Sequence, residues 1–285
     1  MLTAGDVLDQ AEKVLKRSDA VDHPHAGKER VDAEEILIFV LGYDPDLDDP
    51  VPPGALRRFR RLLARRAAGE PPAYLTGSTT FAGLELAVTR GAFIPRESSE
   101  FMAEQAIRRL RRRRSQIHVD LATGVGPVAL AVARALPRAR VVGVDLFDRP
   151  IKLARRNAAA LGARNATFLR GDLFAPLPRD LRDAVDIVTI HPPYVARAEM
   201  RILPHEIKNF EPRESLTDQS RDGMGLLGRT VREAPRWLRP GGWLLVEVSP
   251  DRSRLVSTVL RRGGFRDVRS TRGTLDVSRV VVGRR

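Results

Sequence analysis

Two segments that are distant in the sequence constrain the fold more than any other feature. One is the glycine loop VDLATGVG (Val119 to Gly126), and the other is VDIVTIHPPY (Val185 to Tyr194). Each begins as an apolar run typical of a buried strand and then changes to residues that end a strand. In an open parallel sheet, ligands bind outside the carboxyl ends of the strands, so both segments can reach one crevice. The sequence therefore predicts a ligand-binding loop that faces a proline-rich loop.

The part of the chain after Phe101 alternates between helical periodicity and short apolar runs. Strands are predicted at residues 117–121, 140–145, 166–170, 184–190, 242–248, 265–271 and 278–282. A helix is predicted over residues 226–238, just before the fifth of these strands. Such alternation predicts an α/β fold with a doubly wound, mostly parallel, seven-stranded sheet. The last two strands have a short connection, which predicts an antiparallel hairpin at the sheet edge.

The chain before this alternation divides into two further parts. Residues 1–70 carry apolar residues at helical spacing and predict a small helical domain. Residues 71–96 place apolar residues among glycines and threonines, which predicts a β-hairpin that bridges the helical domain to the main domain, residues 97–285.

Charge and composition exclude several classes of function. With no cysteine, the chain has no disulfide, thiol nucleophile or thiolate metal site, and we predict no metal centre. No apolar run is long enough to span a membrane and residues 1–10 lack a signal core, so we expect a soluble cytoplasmic protein. The net charge of +13 would suit RNA, but runs such as Arg108 to Arg114 are typical of solvated helix ends. Direct nucleic-acid binding is possible but not favoured.

The glycine loop and two later strand ends predict a nucleoside site. Gly124 and Gly126 permit close approach of a ligand to the backbone. Asp145 ends the next strand, about twenty residues after the loop, where a carboxylate can hold ribose hydroxyls or cap the following helix. Asp172 and Leu173 end the strand after that and could bound an adenine. The loop is not GxGxxG and no Walker lysine follows it, so an adenosyl sulfonium fits better than a dinucleotide or ATP.

The HPPY segment indicates the chemistry. Two successive prolines remove two N–H donors and leave carbonyls that can only accept. Such a loop can hold a planar NH₂ group, with Tyr194 packed on its plane, and can aim the nitrogen at an electrophilic methyl group. The alternative is a segment that only ends a strand.

These motifs together resemble the release-factor glutamine methyltransferases, which use S-adenosylmethionine to methylate the side-chain amide nitrogen of the glutamine in the GGQ motif of peptide chain release factors. The resemblance covers nearly the whole chain. It is carried by PPAYLTGSTTFAGLELAVTRGAFIPRESSE, DLATGVG, GVDLF, GDLF, HPPY, EPRESLTDQSRDGMGLL and RPGGWLLVEVSPDRSRLVSTVLRRGGF. A lone PPY would also fit adenine-N6 nucleic-acid methyltransferases, but the bridging segment and the loop EPRESLTDQSRDGMGLL, residues 211–227 (the EP loop), are specific to the glutamine enzymes.

The resemblance implies a role for each motif. The residues expected to bind S-adenosylmethionine are Ala122, Thr123, Gly124, Val125, Gly126, Asp145, Asp172, Leu173 and His191. The residues expected to hold and activate the substrate amide are His191, Pro192, Pro193 and Tyr194, with Pro192 acting through its carbonyl. The implied partner is a peptide chain release factor, recognised by residues 1–70, and we expect the enzyme to act as a monomer.

Departures from the family pattern at three positions bear on the predicted roles. Ala122 stands where the family has glycine, a mild change if its φ is negative, and Glu97 replaces a proline of the IPRPETE signature. His191 stands where the family has asparagine, and a neutral histidine accepts an N–H only in the right tautomer. A nearby sulfonium would lower its pKa and favour the neutral form.

The histidine leaves three functions open. In the first, the enzyme retains glutamine methylation. In the second, it methylates another nitrogen, on a small molecule or a nucleobase. In the third, it binds the cofactor with little catalysis.

Overall fold

The computed structural model describes residues 1–23, 26–114, 116–273 and 275–285, which form two compact units. The helices are α1 (Ala4–Lys16), α2 (Lys28–Leu41), α3 (Pro53–Ala67), α4 (Pro72–Thr76), α5 (Ser98–Leu110), α6 (Pro127–Ala135), α7 (Asp148–Ala160), α8 (His205–Phe210), α9 (Arg213–Leu216), α10 (Gly225–Glu233) and α11 (Ser253–Arg262). The strands are β1 (Ser78–Phe81), β2 (Leu84–Ala87), β3 (Ile117–Leu121), β4 (Arg140–Asp145), β5 (Ala166–Arg170), β6 (Val185–Ile190), β7 (Leu238–Val248), β8 (Arg266–Arg272) and β9 (Arg279–Arg284). No helix in these ranges is long and apolar enough to cross a bilayer.

The first unit comprises Met1–Ser78 and the later segment Arg201–Glu211. Its helix α1 starts with a capping box, in which the Thr3 hydroxyl accepts from the Asp6 N–H and the Asp6 carboxylate accepts from the Thr3 N–H. The apolar faces of α1, α2 and α3 then meet in one core.

A buried ion cluster attaches Arg201–Glu211 to the helices of the first unit. Arg66 on α3 is fully buried; its Nε donates to Asp32 Oδ2 at 2.7 Å and its Nη2 donates to Glu206 Oε1 at 2.5 Å. Lys28 Nζ lies 3.1 Å from the same two carboxylate oxygens. The sequence-based division assigned this segment to residues 97–285, and it could not show the ion cluster because Arg66 and Glu206 are 140 residues apart.

The second unit is built on the seven-stranded sheet, in the order β5-β4-β3-β6-β7-β9-β8. Strands β3 to β7 are parallel, and β9 pairs antiparallel with both β7 and β8. The predicted mostly parallel seven-stranded sheet is therefore confirmed, as is the antiparallel pair at its edge. The chain runs outward from β3 to β5 and then returns to the other side of β3 with β6. This reversal is a topological switch point, and the two loops after β3 and β6 flank it.

Among the elements predicted after Phe101, one helix and one strand have an end displaced by four or more residues. Helix α10 ends at Glu233, five residues before the predicted end, because Pro235 interrupts it. Strand β7 begins at Leu238 instead of residue 242 and contains Pro-Gly-Gly. Its pairing with β6 shifts register there, from Val185 opposite Leu238 to Ile187 opposite Trp243.

Candidate active site

A cavity of about 760 Å³ lies in the second unit at the carboxyl ends of β3 to β6. It falls within the range of roughly 300–1,000 Å³ that is typical of small-molecule and cofactor sites. The predicted site residues in its lining are Ala122, Thr123, Gly124, Val125, Asp145, Asp172, Leu173, His191 and Pro193. The structure thus brings the glycine loop, two further strand ends and the HPPY loop to one cavity. Three predicted residues, Gly126, Pro192 and Tyr194, are not among the described lining residues.

The glycine loop has left-handed backbone at alternate residues. Gly124 has φ +56° and Gly126 has φ +89°, conformations that glycine adopts without steric cost. A Cβ added at Gly124 would meet no atom within 4 Å, so the loop leaves open space for a ligand there. A Cβ at Gly126 would lie 3.0 Å from the Phe168 ring. Gly126 is therefore required by packing beneath the loop, which explains why it does not line the cavity.

Three non-glycine residues of the lining are also left-handed, with φ +50° at Ala122, +48° at Leu173 and +63° at Gln219. The departure at Ala122 would be mild only with a negative φ, and that condition is not met. Such conformations cost about 1–3 kcal/mol each and are concentrated at functional sites.

We expect Ala122→Gly to stabilise the protein. The substitution removes the Cβ that is strained at φ +50°, and the gain is partly offset by the greater entropy of glycine in the unfolded chain. The expected increase in the free energy of unfolding is about 0.5–1 kcal/mol, measured by denaturant titration. Ala160→Gly, at the exposed last position of α7, is the matched control and should not raise stability, because no strained Cβ is removed there and glycine loses more entropy on folding. A loss of stability in Ala122→Gly would contradict the strained backbone.

Asp145 fixes the shape of the glycine loop. Its Oδ2 accepts from the Gly124 N–H at 2.9 Å and its Oδ1 accepts from the Phe147 N–H at 3.0 Å. Burial raises the pKa of this carboxyl, while its backbone hydrogen bonds act in the opposite direction. Each carboxylate oxygen accepts more than one hydrogen bond, so both can still accept from a ligand diol. Asp145 does not cap the following helix, because α7 begins after Phe147 and has no side-chain cap. Ribose binding by Asp145 stays a prediction.

A buried polar network beneath the loop escaped the sequence analysis. Asp120 accepts from the hydroxyls of Thr123 and Thr189, both at 2.6 Å, and burial raises its pKa to about 6. Thr189 in turn lies 2.8 Å from His118 Nε2, and burial lowers the pKa of His118 to about 3. The detectable signal was the polar residue in each otherwise apolar strand, His118 and Asp120 on β3 and Thr189 on β6.

Asp172 lies in the lining but already has a partner. Arg229 Nη2 donates to its Oδ2 at 2.6 Å, and both side chains are more than 40% exposed. An adenine amino group would therefore meet a carboxylate that is shared with Arg229. Leu146 and Phe147, 52% and 40% exposed, line the same cavity and offer apolar surface to a ring.

The two proline carbonyls of the HPPY loop differ in their hydrogen bonds. The Pro193 carbonyl accepts from the Asp218 N–H at 3.2 Å, whereas the Pro192 carbonyl accepts no hydrogen bond from the described residues. The Tyr194 ring is stacked on the His191 ring, with 5.7 Å between the ring centres and an interplanar angle of 15°. Tyr194 therefore packs against His191 and does not form the cavity wall, so its predicted packing on a substrate amide is not seen in this arrangement.

His191 lies among groups that the sequence analysis did not identify. Its Nδ1 is 3.4 Å from Ser99 Oγ and 3.6 Å from Glu247 Oε2. The centres of the Phe93 and His191 rings are 5.8 Å apart and the rings are nearly perpendicular, and the Arg96 guanidinium lies 4.5 Å from the centre of that Phe93 ring. Burial lowers the pKa of His191, Glu247 raises it and Arg96 lowers it, with a net downward shift. The imidazole is therefore neutral at pH 7.

The cavity fits the adenosyl sulfonium that the sequence predicts. The open position above Gly124 and the Asp145 carboxylate suit the sugar and the chain attached to it. The exposed apolar side chains of Leu146 and Phe147 suit the base. No group of acidic or histidine residues in the described ranges is arranged to hold a metal ion.

Two family models and several known proteins are similar to this chain. Residues 114–260 match the family described as Methyltransferase domain, and residues 6–77 match the PrmC N-terminal domain. The chain is similar to the release factor glutamine methyltransferase of Geobacter sulfurreducens, with 38% identity over 90% of this chain and 89% of that protein. It is also similar to the Bordetella pertussis protein of the same name, with 37% identity over 88% of this chain and 92% of that protein.

A solved structure shares the fold. The T. thermophilus 16S rRNA N2 G1207 methyltransferase, in complex with AdoMet and guanosine, superposes with a TM-score of 0.52 and 19% identity, over 73% of this chain and 49% of that chain.

Proposed function

Since this chain belongs to the release factor glutamine methyltransferase family, we propose that it methylates the side-chain amide nitrogen of a glutamine, the GGQ glutamine of a peptide chain release factor. The chain is a methyltransferase and its cofactor is S-adenosylmethionine. One observation carries the choice of substrate: the cofactor cavity is lined by His191, and the Pro192 carbonyl next to His191 has no hydrogen-bond donor among the described residues.

The chain's own groups account for activation of the amide. S-adenosylmethionine supplies an electrophilic methyl group when it is bound. An amide nitrogen is a poor nucleophile because its lone pair is delocalised into the carbonyl. The Pro192 carbonyl and the neutral His191 ring can each accept one N–H, which fixes the direction of the nitrogen and relieves the positive charge that develops on it. As the new N–C bond forms, the bond between the methyl carbon and sulfur breaks, which leaves S-adenosylhomocysteine, and one N–H proton passes from the amide to solvent.

Rigid positioning supports this chemistry. Asn157 Nδ2 donates to the Val125 carbonyl at 3.1 Å and to the Ala87 carbonyl at 3.2 Å, which joins the glycine loop to strand β2. The Asp218 N–H bond to the Pro193 carbonyl joins the HPPY loop to the EP loop, residues 211–227. The glycine loop and the HPPY loop are therefore both held by hydrogen bonds from elsewhere in the second unit.

The neutral histidine leads to an expected pH dependence. Because burial holds the pKa of His191 below 6.5, methylation of a release factor should lose rate only as the pH falls below about 6.5. Asparagine does not titrate, so His191→Asn should remove this acid limb and preserve or raise the rate at pH 7. The measurement is kcat/KM for release-factor methylation from pH 5 to 8. A large loss of rate in His191→Asn would favour a site rebuilt for another nucleophile.

The histidine also motivates a second candidate function, methylation of a nitrogen on a small molecule or a nucleobase. A competition assay with labelled S-adenosylmethionine separates the two candidates. Release factor, total RNA and free glutamine are offered together, and we expect the label in the release factor alone. Label in RNA or in a small molecule would replace the proposed function by the second candidate.

The setting of the reaction is part of the same proposal. Release factors act in translation, so we infer that the enzyme works in the cytoplasm. We also propose that it acts on its partner as a monomer. Recognition of the release factor by residues 1–70 is likewise proposed, since a pocket for one amide cannot by itself select one glutamine on a large protein.

A further inference from the structure

Glu247 is a buried carboxylate with one oxygen that lacks a hydrogen-bond donor. It lies on β7, and its side chain is 1% exposed. Oε1 accepts from the Ser98 hydroxyl at 2.9 Å. Oε2 lies 3.6 Å from His191 Nδ1, and no described residue donates a hydrogen bond to it. Because buried polar atoms are nearly always paired, the unpaired oxygen beside a cavity residue indicates a function.

The two nitrogens of His191 have different surroundings. Both polar contacts of the ring, with Ser99 Oγ and with Glu247 Oε2, use Nδ1. Nε2 has no protein partner in the described part of the chain, and the side chain lines the cavity with 21% of its surface exposed. The ring is held by the edge contact with Phe93 and the stacked Tyr194. Nδ1 is therefore the nitrogen that faces the protein, which leaves Nε2 for the cavity.

We propose that Glu247 is a positioning residue that holds His191 in the tautomer with hydrogen on Nδ1, so that Nε2 can accept the N–H of the substrate amide. This inference rests on the proposed function. The present 3.6 Å separation is longer than a hydrogen bond. Hydrogen bonds of this kind are often long in ligand-free sites and tighten when the substrate binds.

Glu247 is the only contact of His191 Nδ1 in the described structure that can select this tautomer. A serine hydroxyl donates or accepts equally well, so Ser99 Oγ fits either tautomer. A carboxylate only accepts, so it selects the tautomer that carries N–H on the facing nitrogen. An asparagine at position 191 would need no such partner, because its carbonyl oxygen is always an acceptor. Glu247 is therefore needed in this role only because residue 191 is a histidine.

The proposal predicts a shift in the pH profile. The charged and titratable groups that face His191 are Glu247 from β7, Arg96 from the segment before α5, and Tyr194 from its own loop. Glu247 raises the pKa of His191, against the effects of burial and Arg96. Glu247→Gln removes that charge, so the acid limb of the rate should move to lower pH. The size of this shift measures the charge of Glu247 beside His191, and the tautomer is measured separately.

The tautomer itself can be measured without any substrate. The full-length protein, loaded with S-adenosylmethionine and labelled with ¹⁵N-histidine, gives imidazole signals for its five histidines. Those of His191 are identified by their loss in His191→Asn. We expect Nδ1–H in the wild type and in the matched control Glu104→Gln, an exposed glutamate on α5, and loss of that preference in Glu247→Gln. Nε2–H in the wild type would overturn the proposal, whether or not any variant folds.

A kinetic test completes the experiment. In the wild-type background, Glu247→Gln should lower kcat for release-factor methylation about 10- to 100-fold with little change in KM. In the His191→Asn background the same substitution should change kcat by less than about threefold, because the tautomer no longer matters. Equal losses in both backgrounds would overturn the proposal. If the wild type shows Nδ1–H but no release-factor methylation, the assignment of Glu247 stands and the proposed function fails.

Discussion

Asp145→Ala should weaken S-adenosylmethionine binding by about 1–3 kcal/mol, which corresponds to a roughly 5- to 150-fold increase in Kd. The carboxylate now accepts from the Gly124 and Phe147 N–H groups. Its removal takes away both the expected ribose acceptor and the bond that shapes the glycine loop. Calorimetric titration of the cofactor measures the change, and circular dichroism checks the fold.

Asp172→Ala is the matched control for this result. Asp172 lines the same cavity, but it is 44% exposed on its side chain and shared with Arg229. Solvent screening makes such exposed pairs weak, so we expect a loss of cofactor affinity below about 1 kcal/mol. An unchanged Kd in Asp145→Ala, or a greater effect of Asp172→Ala on Kd, would contradict the assignment of Asp145 as a main cofactor-binding residue.

Arg66→Met should destabilise the first unit by about 3–5 kcal/mol. Arg66 is fully buried and pairs with Asp32 and Glu206. The variant leaves both carboxylates buried with only Lys28 as a cation within 4 Å among the described residues. Amide hydrogen exchange of α2 and α3, which reports the local free energy of opening, is the appropriate measurement.

The adjacent arginine provides the control. Arg65 pairs with Glu70 at 2.8 Å, but its side chain is 49% exposed. Arg65→Met should therefore cost no more than about 1 kcal/mol. If the two variants had equal effects, the buried ion cluster would not be what attaches Arg201–Glu211 to this unit.

The sheet could be predicted from the sequence because each strand carries its own local signal. The apolar runs of β3, β4 and β5 are bounded by glycine, proline or charged residues, and their predicted limits agree with the structure. Asp145 and the HPPY loop each lie at the carboxyl end of a strand, which predicts that they meet, and both contribute to the lining of the same cavity. Both inferences need only local pattern and the rule for ligand sites in parallel sheets.

The partners of single polar residues could not be predicted in this way. Glu247 interrupts the apolar run of β7, which marks it as unusual, but its contacts come from Ser98 and His191 in distant segments. The ion pair of Arg66 with Glu206 likewise joins residues that are distant in the sequence. Backbone angles such as the positive φ of Ala122 are also set by the loop as a whole, because alanine alone favours a negative φ.

The most direct test is the mass of a release factor after incubation with this enzyme and S-adenosylmethionine. We expect a gain of one methyl group per molecule, which fragmentation places on the side chain of the GGQ glutamine. A release factor with that glutamine replaced by asparagine is the control and should gain none. An unmodified wild-type release factor, with cofactor binding confirmed by calorimetry, would contradict the proposed function, as would a methyl group on any other residue.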